Sequence, residues 1–344
     1  MPEKIPVALI THAGAAHLEA YLAGLAATVE AESVVLADPD GNAEASARKH
    51  LGAKLKQVYK SSQELWKHEQ PKMALVTMEA KVAPPYIAQA LEAGCHVLAE
   101  KPACVRVEDF AEVVRLADSK HLQVMLAFAN RLHPSIIAAR KLLQAGAMGK
   151  IYGMELHLIA DQTRLTRPEY HKLWYAQKSR GGGGHLIWLG IHWLDLAMYL
   201  EESPITKVAG FTSNVGGQPL DVEDSAALAM QFENGTLGTL TSGYYLDKGY
   251  HSHIRIWGSL GWMEIQPTEE KPLRWISRQE GQPAGEQIYD GPMEPEGYTP
   301  FVQACVRSAA GLEPPPVTSA ESLRALRAVY GLYEAARTGS MQEV

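Results

Sequence analysis

Two segments of this 344-residue chain carry side chains that can exchange a proton with a substrate. Lys101 follows the apolar run 95–99, and His192 stands in a helical pattern entered through the glycines at 181–184. Ligands of open α/β sheets gather at strand ends, and lysine and histidine both serve in general acid–base catalysis. If the two side chains converge on one cleft, they suit proton transfer to or from a substrate hydroxyl. The alternative is structural: a lysine that closes a strand and pairs with Glu100, and a histidine satisfied within its helix.

Further candidate side chains lie close to His192 in the sequence. A regular helix over 185–200 predicts one stripe whose N-terminal end faces the cleft; its members are His185, Trp188, His192, Asp195 and Tyr199. Trp188 can stack on a sugar ring or fill a cavity, whereas Asp195 is expected to partner the next element rather than the reaction. A donor-rich aromatic segment is either a substrate loop or an oligomer contact; its residues are Arg164, Arg167, Tyr170, His171, Trp174 and Tyr175. Arg131 and His185 are further candidate substrate ligands.

Composition and charge exclude several classes of function. The net charge of −7 and the absence of any basic run in the sequence argue against nucleic-acid binding. The three cysteines form no metal-type pair and leave an odd count, which favours a reduced, cytoplasmic setting. No apolar stretch approaches the ~18 residues of a membrane span, and the first residues have no signal-peptide core. We also predict no metal site, because His185 and His192 are two helical turns, about 10.5 Å, apart.

Alternating strand and helix patterns over the first 128 residues predict a doubly wound parallel sheet, the Rossmann type of α/β fold. The strands are predicted over 5–11, 33–37, 56–59, 73–77, 95–99 and 122–128. Helices are predicted over about 18–28, 42–51, 61–68, 84–93 and 106–119. Gly94 is expected to end the fourth helix in a left-handed conformation.

The pattern changes after Asn130, where strand-like segments follow one another with few helices between them. This predicts an α+β domain with a large, mostly antiparallel sheet. Its strands are predicted over 151–160, 206–215, 225–233, 236–246, 253–257 and 261–265. Helices are predicted over about 134–145 and 318–338, with a surface loop and an edge strand in 267–295. We therefore expect two domains, 1–128 and 129–344.

The turn after the first strand departs from the Gly-x-Gly-x-x-Gly dinucleotide fingerprint. Thr11, Ala13 and Ala16 stand at the glycine positions, and Gly14 is displaced. Read alone, this is a small-residue turn between a strand and a helix, yet its residues are small enough for a phosphate to approach. Asp38 ends the second strand, where it can accept hydrogen bonds from an adenosine ribose and favour NAD over NADP. The alternative for Asp38 is a turn-forming Asp-Pro.

Taken in order, the motifs resemble the glucose–fructose oxidoreductase/inositol dehydrogenase (Gfo/Idh/MocA) family over nearly the whole chain. The matching segments are Glu100-Lys101-Pro102, Asn130-Arg131 with Pro134, Gly182 to Asp195, Glu223-Asp224-Ser225, Glu233-Asn234-Gly235, Gly258 to Gly261, and Pro316-Val317-Thr318. The resemblance implies a nicotinamide-binding domain, then an open-faced sheet domain through which homodimers or homotetramers form, and a sugar or polyol substrate. It assigns the cofactor site to Thr11, Ala13, Gly14, Ala15, Asp38, Thr77, Glu79, Glu100, Lys101 and Asn130.

One position departs from the family pattern. In the family an aspartate usually stands four residues before the histidine that matches His192, and here that position is Trp188. An indole has one N–H donor and no acceptor, so it cannot orient an imidazole or hold a proton.

Three hypotheses stay open. The first is an NAD-dependent oxidoreductase of a sugar or polyol hydroxyl, with Lys101 and His192 as proton shuttles. The second is an epimerase, lyase or glycosidase that oxidises its sugar transiently with bound NAD. The third is a non-catalytic sugar-binding protein on a dehydrogenase scaffold.

Overall fold

The chain folds into two units. The computed structural model describes residues 3–344, apart from the side chains of residues 163 and 164. The first unit takes the chain up to Ala129 together with Ser179–Gly182 and Glu296–Leu323. The second takes Asn130–Lys178, Gly183–Pro295 and Arg324–Val344. The contiguous division into 1–128 and 129–344 therefore leaves out two returns of the chain to the first unit.

The first unit contains a six-stranded parallel sheet. Its strands are β1 (Ile5–Thr11), β2 (Ala31–Ala37), β3 (Leu55–Tyr59), β4 (Met73–Thr77), β5 (His96–Ala99) and β6 (Val124–Leu126). Their order is β3-β2-β1-β4-β5-β6, so the direction of winding reverses between β1 and β4. Thr11 of β1 lies in register with Thr77 of β4. Because ligands of doubly wound folds bind at this switch point, outside the carboxyl ends of the strands, the two threonines mark the ligand-binding edge.

The second unit contains a nine-stranded sheet. Numbered on from the first unit, its strands are β7 (Ile151–Asp161), β8 (Ile205–Ser213), β9 (Ser225–Phe232), β10 (Leu237–Leu246), β11 (Tyr250–Gly258), β12 (Gly261–Ile265), β13 (Leu273–Ser277), β14 (Gln287–Ile288) and β15 (Gln342–Glu343). Their order is β14-β13-β12-β11-β7-β10-β9-β8-β15. The β10–β7 pair is parallel, and the other pairs are antiparallel. Both predicted sheets are thus confirmed.

The helices lie in the connections between successive strands. They are α1 (Leu18–Ala27), α2 (Glu44–Leu51), α3 (Ser62–His68), α4 (Ala83–Glu92), α5 (Val107–Ser119), α6 (Pro134–Gln144), α7 (Thr163–Thr166), α8 (Lys178–Gly181), α9 (Ile191–Glu201), α10 (Tyr298–Ala309) and α11 (Ser319–Thr338). Gly94 has a φ of 84° after α4, as predicted for a left-handed cap. Helix α10, which returns to the first unit, is absent from the sequence-based prediction.

The helix predicted over 185–200 forms, but it is not regular. Residues Leu186–Gly190 make a π-helical turn, in which the N–H of Ile191 bonds the carbonyl of Leu186 five residues back, and α9 follows. A π turn holds more residues than an α turn, so side chains before it fall out of phase with those after it. The single stripe predicted for a regular helix is therefore wrong.

The open face of the second sheet carries large exposed side chains. Phe211 is 77% exposed, Leu237 59% and Trp257 41%, and the register of the strands places the three on one face. Self-association through this face stays a prediction. Among the described residues, no helix is long and apolar enough to cross a membrane.

Candidate functional site

The turn after β1 combines a fixed backbone with open space. Ala13 donates its N–H to Oδ2 of Asp40 at 2.8 Å. Gly14 has a φ of 79°, and nothing lies within 4 Å of the position that a Cβ would take. Thr11 is 1% exposed, and its Oγ1 has no hydrogen-bond partner within the described part of the chain. A buried polar atom without a partner is costly, so a ligand hydroxyl or phosphate at this edge fits Thr11.

The same turn is tied to the loop that follows β4. Thr77 Oγ1 donates to the carbonyl of Ala16 at 2.9 Å, and the N–H of Glu79 donates to Nε2 of His12 at 3.0 Å. Burial lowers the pKa of His12, which favours the neutral ring that can accept this bond. Glu79 also forms an ion pair with Arg180, with Nε and Oε2 3.0 Å apart. Thr77 and Glu79 thus position the turn.

The predicted cofactor residue Ala15 closes the turn itself. Its N–H donates to the carbonyl of His12 at 3.1 Å. Helix α1 begins two residues beyond Ala16, after His17, which is left-handed with a φ of 55°. The fingerprint places the helix start within the glycine motif, so the backbone here reaches α1 by a different path.

Asp38 performs a local structural task. It is fully buried, and its carboxylate accepts backbone N–H groups from Gly41 at 3.1 Å, Ala43 at 2.8 Å and Glu44 at 3.1 Å. This supports the turn-forming alternative rather than a contact with ribose. Asp40, exposed and bonded to the β1–α1 turn, is an acidic residue at this edge that sequence reasoning missed, although Asp-Pro-Asp-Gly contained it.

Glu100 and Lys101 follow β5, and each is 1% exposed. Glu100 Oε2 accepts a hydrogen bond from the hydroxyl of Tyr21 and lies 3.0 Å from Nδ1 of His17. The hydroxyl of Tyr298 is 3.1 Å from the same nitrogen. Within residues 3–344, Glu100 Oε1 is buried without a hydrogen-bond partner. The open oxygen of this carboxylate fits a hydroxyl donor of a nucleotide cofactor.

In the second unit, the glycine turn before α9 is built around Glu223. Its carboxylate accepts the N–H of Gly184 at 2.8 Å and that of Leu186 at 3.0 Å. A Cβ on Gly184 would lie 2.0 Å from the carbonyl oxygen of Glu223, and a Cβ on Gly183 2.1 Å from the hydroxyl of Tyr333. These glycines are therefore required by close packing between protein groups.

The predicted substrate residue His185 is fully buried against β10. Its Nδ1 is 2.8 Å from the hydroxyl of Ser242, and its ring lies edge-on to Tyr244 with centroids 4.3 Å apart. The hydroxyl of Tyr244 is in turn 3.3 Å from that of Tyr170. His185 thus anchors the start of the helix to the sheet.

Trp188 belongs to an aromatic cluster with the predicted substrate segment. It is 8% exposed; Tyr175 stacks on it with centroids 4.3 Å apart, and Trp174 packs edge-on at 5.5 Å. Because so little of the indole is exposed, this favours the cavity-filling role over stacking on a sugar. His171 contacts the carbonyl of Leu165 in the same segment. The side chain of Arg164 lies outside the described residues.

Arg131 and Asp195 form a buried ion pair. The guanidinium contacts the carboxylate through Nε to Oδ2 at 2.9 Å and Nη2 to Oδ1 at 2.6 Å, and it lies over the ring of Tyr199 at 4.7 Å. Asp195 therefore partners an earlier element, the turn of Arg131, rather than the next element that was expected. Arg131, 2% exposed, is engaged in structure, which argues against its predicted role as a substrate ligand. Asn130 lies in the same 3₁₀ turn, Ala129–Leu132, and its carbonyl accepts the N–H of His133 at 3.1 Å.

His192 lies in the first turn of α9, directly after the π turn, and is half-buried. Inserted π turns occur often at functional sites. Lys101 belongs to the first unit and His192 to the second. Among the described residues, no group of three or more His, Cys, Asp or Glu side chains is placed to hold a metal ion.

The strand order of the first unit and its polar switch-point edge define a dinucleotide-binding Rossmann fold. A family model described as an oxidoreductase family with an NAD-binding Rossmann fold matches residues 8–128. A second, described as the GFO/IDH/MocA C-terminal domain, matches residues 136–264. The chain belongs to the Gfo/Idh/MocA family, and its first unit is the NAD-binding domain.

Two curated relatives are each 30% identical to the chain. One is dTDP-3,4-didehydro-2,6-dideoxy-alpha-D-glucose 3-reductase of Saccharopolyspora spinosa, matched over 55% of this chain and 54% of the relative. The other is D-glucoside 3-dehydrogenase of Escherichia coli, matched over 46% of this chain and 48% of the relative. The chain thus spans about half the length of the curated relatives it matches.

The fold also matches solved structures over their full length. Levoglucosan dehydrogenase in complex with NADH and levoglucosan superposes with a TM-score of 0.86 at 19% identity, covering 99% of this chain and 100% of that one. At this identity the match shows the fold alone.

Proposed function

We propose that the chain is an NAD-dependent dehydrogenase that oxidises the C3 hydroxyl of a glucoside-type sugar, or reduces the corresponding ketone. The observation that carries the proposal is the pair of buried acceptors, Thr11 Oγ1 and Glu100 Oε1, that lack hydrogen-bond partners among residues 3–344 of an NAD-binding domain. Thr11 is the last residue of β1 and Glu100 directly follows β5, so both lie at the carboxyl edge of the sheet, where a dinucleotide lies in this fold.

The choice of C3 is supported by the names of two relatives. One is a 3-reductase of a didehydro-dideoxyglucose nucleotide and the other a glucoside 3-dehydrogenase. These share the chemistry of a secondary alcohol and a ketone at one ring position. A neutral, uncharged glucoside is accordingly the simplest probe of the reaction.

The proton chemistry falls to Lys101 and His192. NAD supplies the hydride acceptor when bound. Lys101, buried directly after β5, takes the hydroxyl proton of the substrate, and His192 at the start of α9 is the second group able to hold it. Trp188 takes no part in proton transfer, because an indole accepts no hydrogen bond and this one is packed against Tyr175.

Titration calorimetry with NAD on cofactor-stripped protein tests the cofactor assignment. We expect Thr11→Val to raise the Kd for NAD roughly 3- to 10-fold, the value of one hydrogen bond. The matched control is Thr28→Val, which removes a buried hydroxyl that donates to the Gly24 carbonyl at 2.7 Å, at the other end of α1. It should lower stability and leave the Kd unchanged. No NAD binding by the wild-type protein would contradict the proposal.

The position of oxidation is tested with methyl glucoside deuterated at C2, C3 or C4. Deuterium at C3 alone should slow NADH formation and appear in the NADH. Transfer from C2 or C4 would contradict the choice of C3. Product formed without accumulation of NADH would instead identify the enzyme with transient oxidation, and sugar binding without hydride transfer would identify the non-catalytic scaffold.

A further inference from the structure

The helix that carries His192 begins with four successive amides held by two residues from elsewhere in the second unit. Glu223 accepts the N–H of Gly184 through Oε2 at 2.8 Å, of His185 through its backbone carbonyl at 3.0 Å, and of Leu186 through Oε1 at 3.0 Å. The hydroxyl of Tyr333 accepts the N–H of Ile187 at 3.3 Å. A helix leaves its first four amides without partners inside the helix, and here these two side chains and one carbonyl satisfy all four.

The two residues also hold each other. The hydroxyl of Tyr333 donates to Oε1 of Glu223 at 2.8 Å, so one hydroxyl links the carboxylate to the fourth amide. A Cβ on Gly183 would collide with the hydroxyl of Tyr333, and a Cβ on Gly184 would collide with the backbone carbonyl of Glu223, so glycine at both positions lets the two residues approach. A negative charge at this end of a helix is further stabilised by the helix dipole.

Because a π turn follows these capped amides, the hydrogen bonds at the start of the helix also affect where its side chains point. Gly184 still accepts the N–H of Trp188 in the α-helical manner at 3.0 Å, and the wider bond from Ile191 to Leu186 follows. If the turn relaxed to an α-helix, residues before it would rotate by about 100° relative to α9. Trp188 would leave its stack on Tyr175, and the direction of His192 relative to the capped turn would change.

We infer that Glu223 is a positioning residue, which with Tyr333 holds the register of the π turn and thereby orients His192 for proton transfer. The inference deepens the proposed function and rests on it for the role of His192. It assigns to the Glu223-Asp224-Ser225 segment a task at the active site that no sequence spacing indicates.

Asp224 provides a matched control. It is the next residue, is 4% exposed, and accepts the N–H of Val215 at 2.9 Å and of Gly216 at 2.7 Å. The chemistry is the same as at Glu223, with two backbone amides on one carboxylate, but these amides belong to the loop that follows β8.

The experiment compares Glu223→Gln with Asp224→Asn by kinetics on methyl glucoside and by NMR of isotope-labelled histidine. The His192 resonance is assigned with His192→Gln. An amide side chain keeps one acceptor oxygen, so Glu223→Gln releases one of the two amides. We expect its kcat to fall roughly 10- to 100-fold, the usual cost of a misplaced catalytic group, with an unchanged Kd for NAD and a displaced His192 resonance and titration midpoint. Asp224→Asn should leave all of these as in the wild type.

Two outcomes would overturn the inference: a Glu223→Gln enzyme with wild-type kcat and His192 resonance, or equal changes in both variants, which would indicate a general structural role. If Glu223→Gln does not fold, Tyr333→Phe removes one hydrogen bond to the carboxylate and one to Ile187, and the same readouts decide. If the wild-type protein oxidises no sugar, the proposed function fails, and the His192 resonance still shows whether Glu223 sets the register.

Discussion

The turns that lead into α1 and into α9 both contain glycine, yet they are built in opposite ways. At Gly14 a Cβ would meet nothing within 4 Å, and beside it the buried hydroxyl of Thr11 lacks a hydrogen-bond partner in the described residues. At Gly184 a Cβ would lie 2.0 Å from the carbonyl of Glu223, and every amide of the first turn is bonded to protein. The first turn leaves open space and the hydroxyl of Thr11 for a ligand, whereas the second is closed by the protein itself.

This contrast separates two uses of glycine that look alike in a sequence. A glycine run before a helix is often read as a phosphate-binding loop. In this chain the longer run, 181–184, is the one that the protein fills, and the degenerate turn 11–16 is the one at the ligand-binding edge. What decides between the two uses is the set of groups within reach of the missing side chain.

The largest effect is expected at the ligand-facing edge. Lys101→Met should lower kcat by at least ~10²-fold, because it removes the positioned group that takes the hydroxyl proton. Lys54→Met is the control: Lys54 Nζ donates to the carbonyls of Leu25 at 3.0 Å and Ala26 at 2.8 Å, so its loss should lower stability and spare kcat. Steady-state kinetics on the substrate of the wild-type enzyme measure kcat for both variants. An unchanged rate for Lys101→Met would remove this lysine from the mechanism.

A smaller effect distinguishes the two glycines directly. Gly184→Ala should lower the free energy of unfolding by about 1–3 kcal/mol, the cost of forcing a methyl group into a packed site, and lower kcat as well. Gly14→Ala should cost about 1–2 kcal/mol through its left-handed backbone alone, with its main effect on NAD affinity. Chemical denaturation and calorimetric titration of both variants measure this. If Gly14→Ala affects kcat alone and Gly184→Ala affects NAD affinity alone, the comparison is reversed.

The smallest effect concerns His12, in the turn after β1, and how it makes the stability of the protein depend on pH. Burial lowers the pKa of His12 below its ordinary value of 6.5, and its Nε2 accepts the N–H of Glu79. The imidazole of His12 is therefore protonated at a higher pH in the unfolded chain than in the folded chain. The stabilisation of the folded state by the neutral His12 ring is complete above pH 6.5 and is lost as the pH falls through the lowered pKa.

His12→Gln keeps an acceptor near Glu79 and removes the titration. Its unfolding free energy, measured by urea denaturation from pH 8 to pH 5, should fall less steeply with acid than that of the wild type. Residual dependence is expected, because burial also lowers the pKa of His96 and His157. Equal slopes for the two proteins would exclude His12 as a contributor.

Some features of the chain were set by local pattern alone. The runs 5–11 and 73–77 are buried strands because β-sheet interiors need continuous apolar segments, and Gly94 ends α4 because only glycine takes a φ of 84° without strain. Lys101 and Thr11 were placed at strand ends by the same reasoning. The strand-like segments after Asn130 indicated the second sheet in the same way, and the family motifs added the NAD-binding role of the first domain. Hydrophobic periodicity and turn chemistry act over a few residues, so a single sequence reveals them.

Tertiary structure decided which polar side chains remain for a ligand. The sequence offered Asp38 and Arg131 to a cofactor or substrate, but the fold gives Asp38 three backbone amides and joins Arg131 to Asp195. It also brings Glu223 and Tyr333 to the first turn of the helix that carries His192. These residues are far apart in the sequence, and no periodic pattern in the sequence predicts their contact. A polar group pairs with whichever donor or acceptor the folded chain brings within hydrogen-bond distance. That pairing depends on distance in space rather than on distance along the sequence.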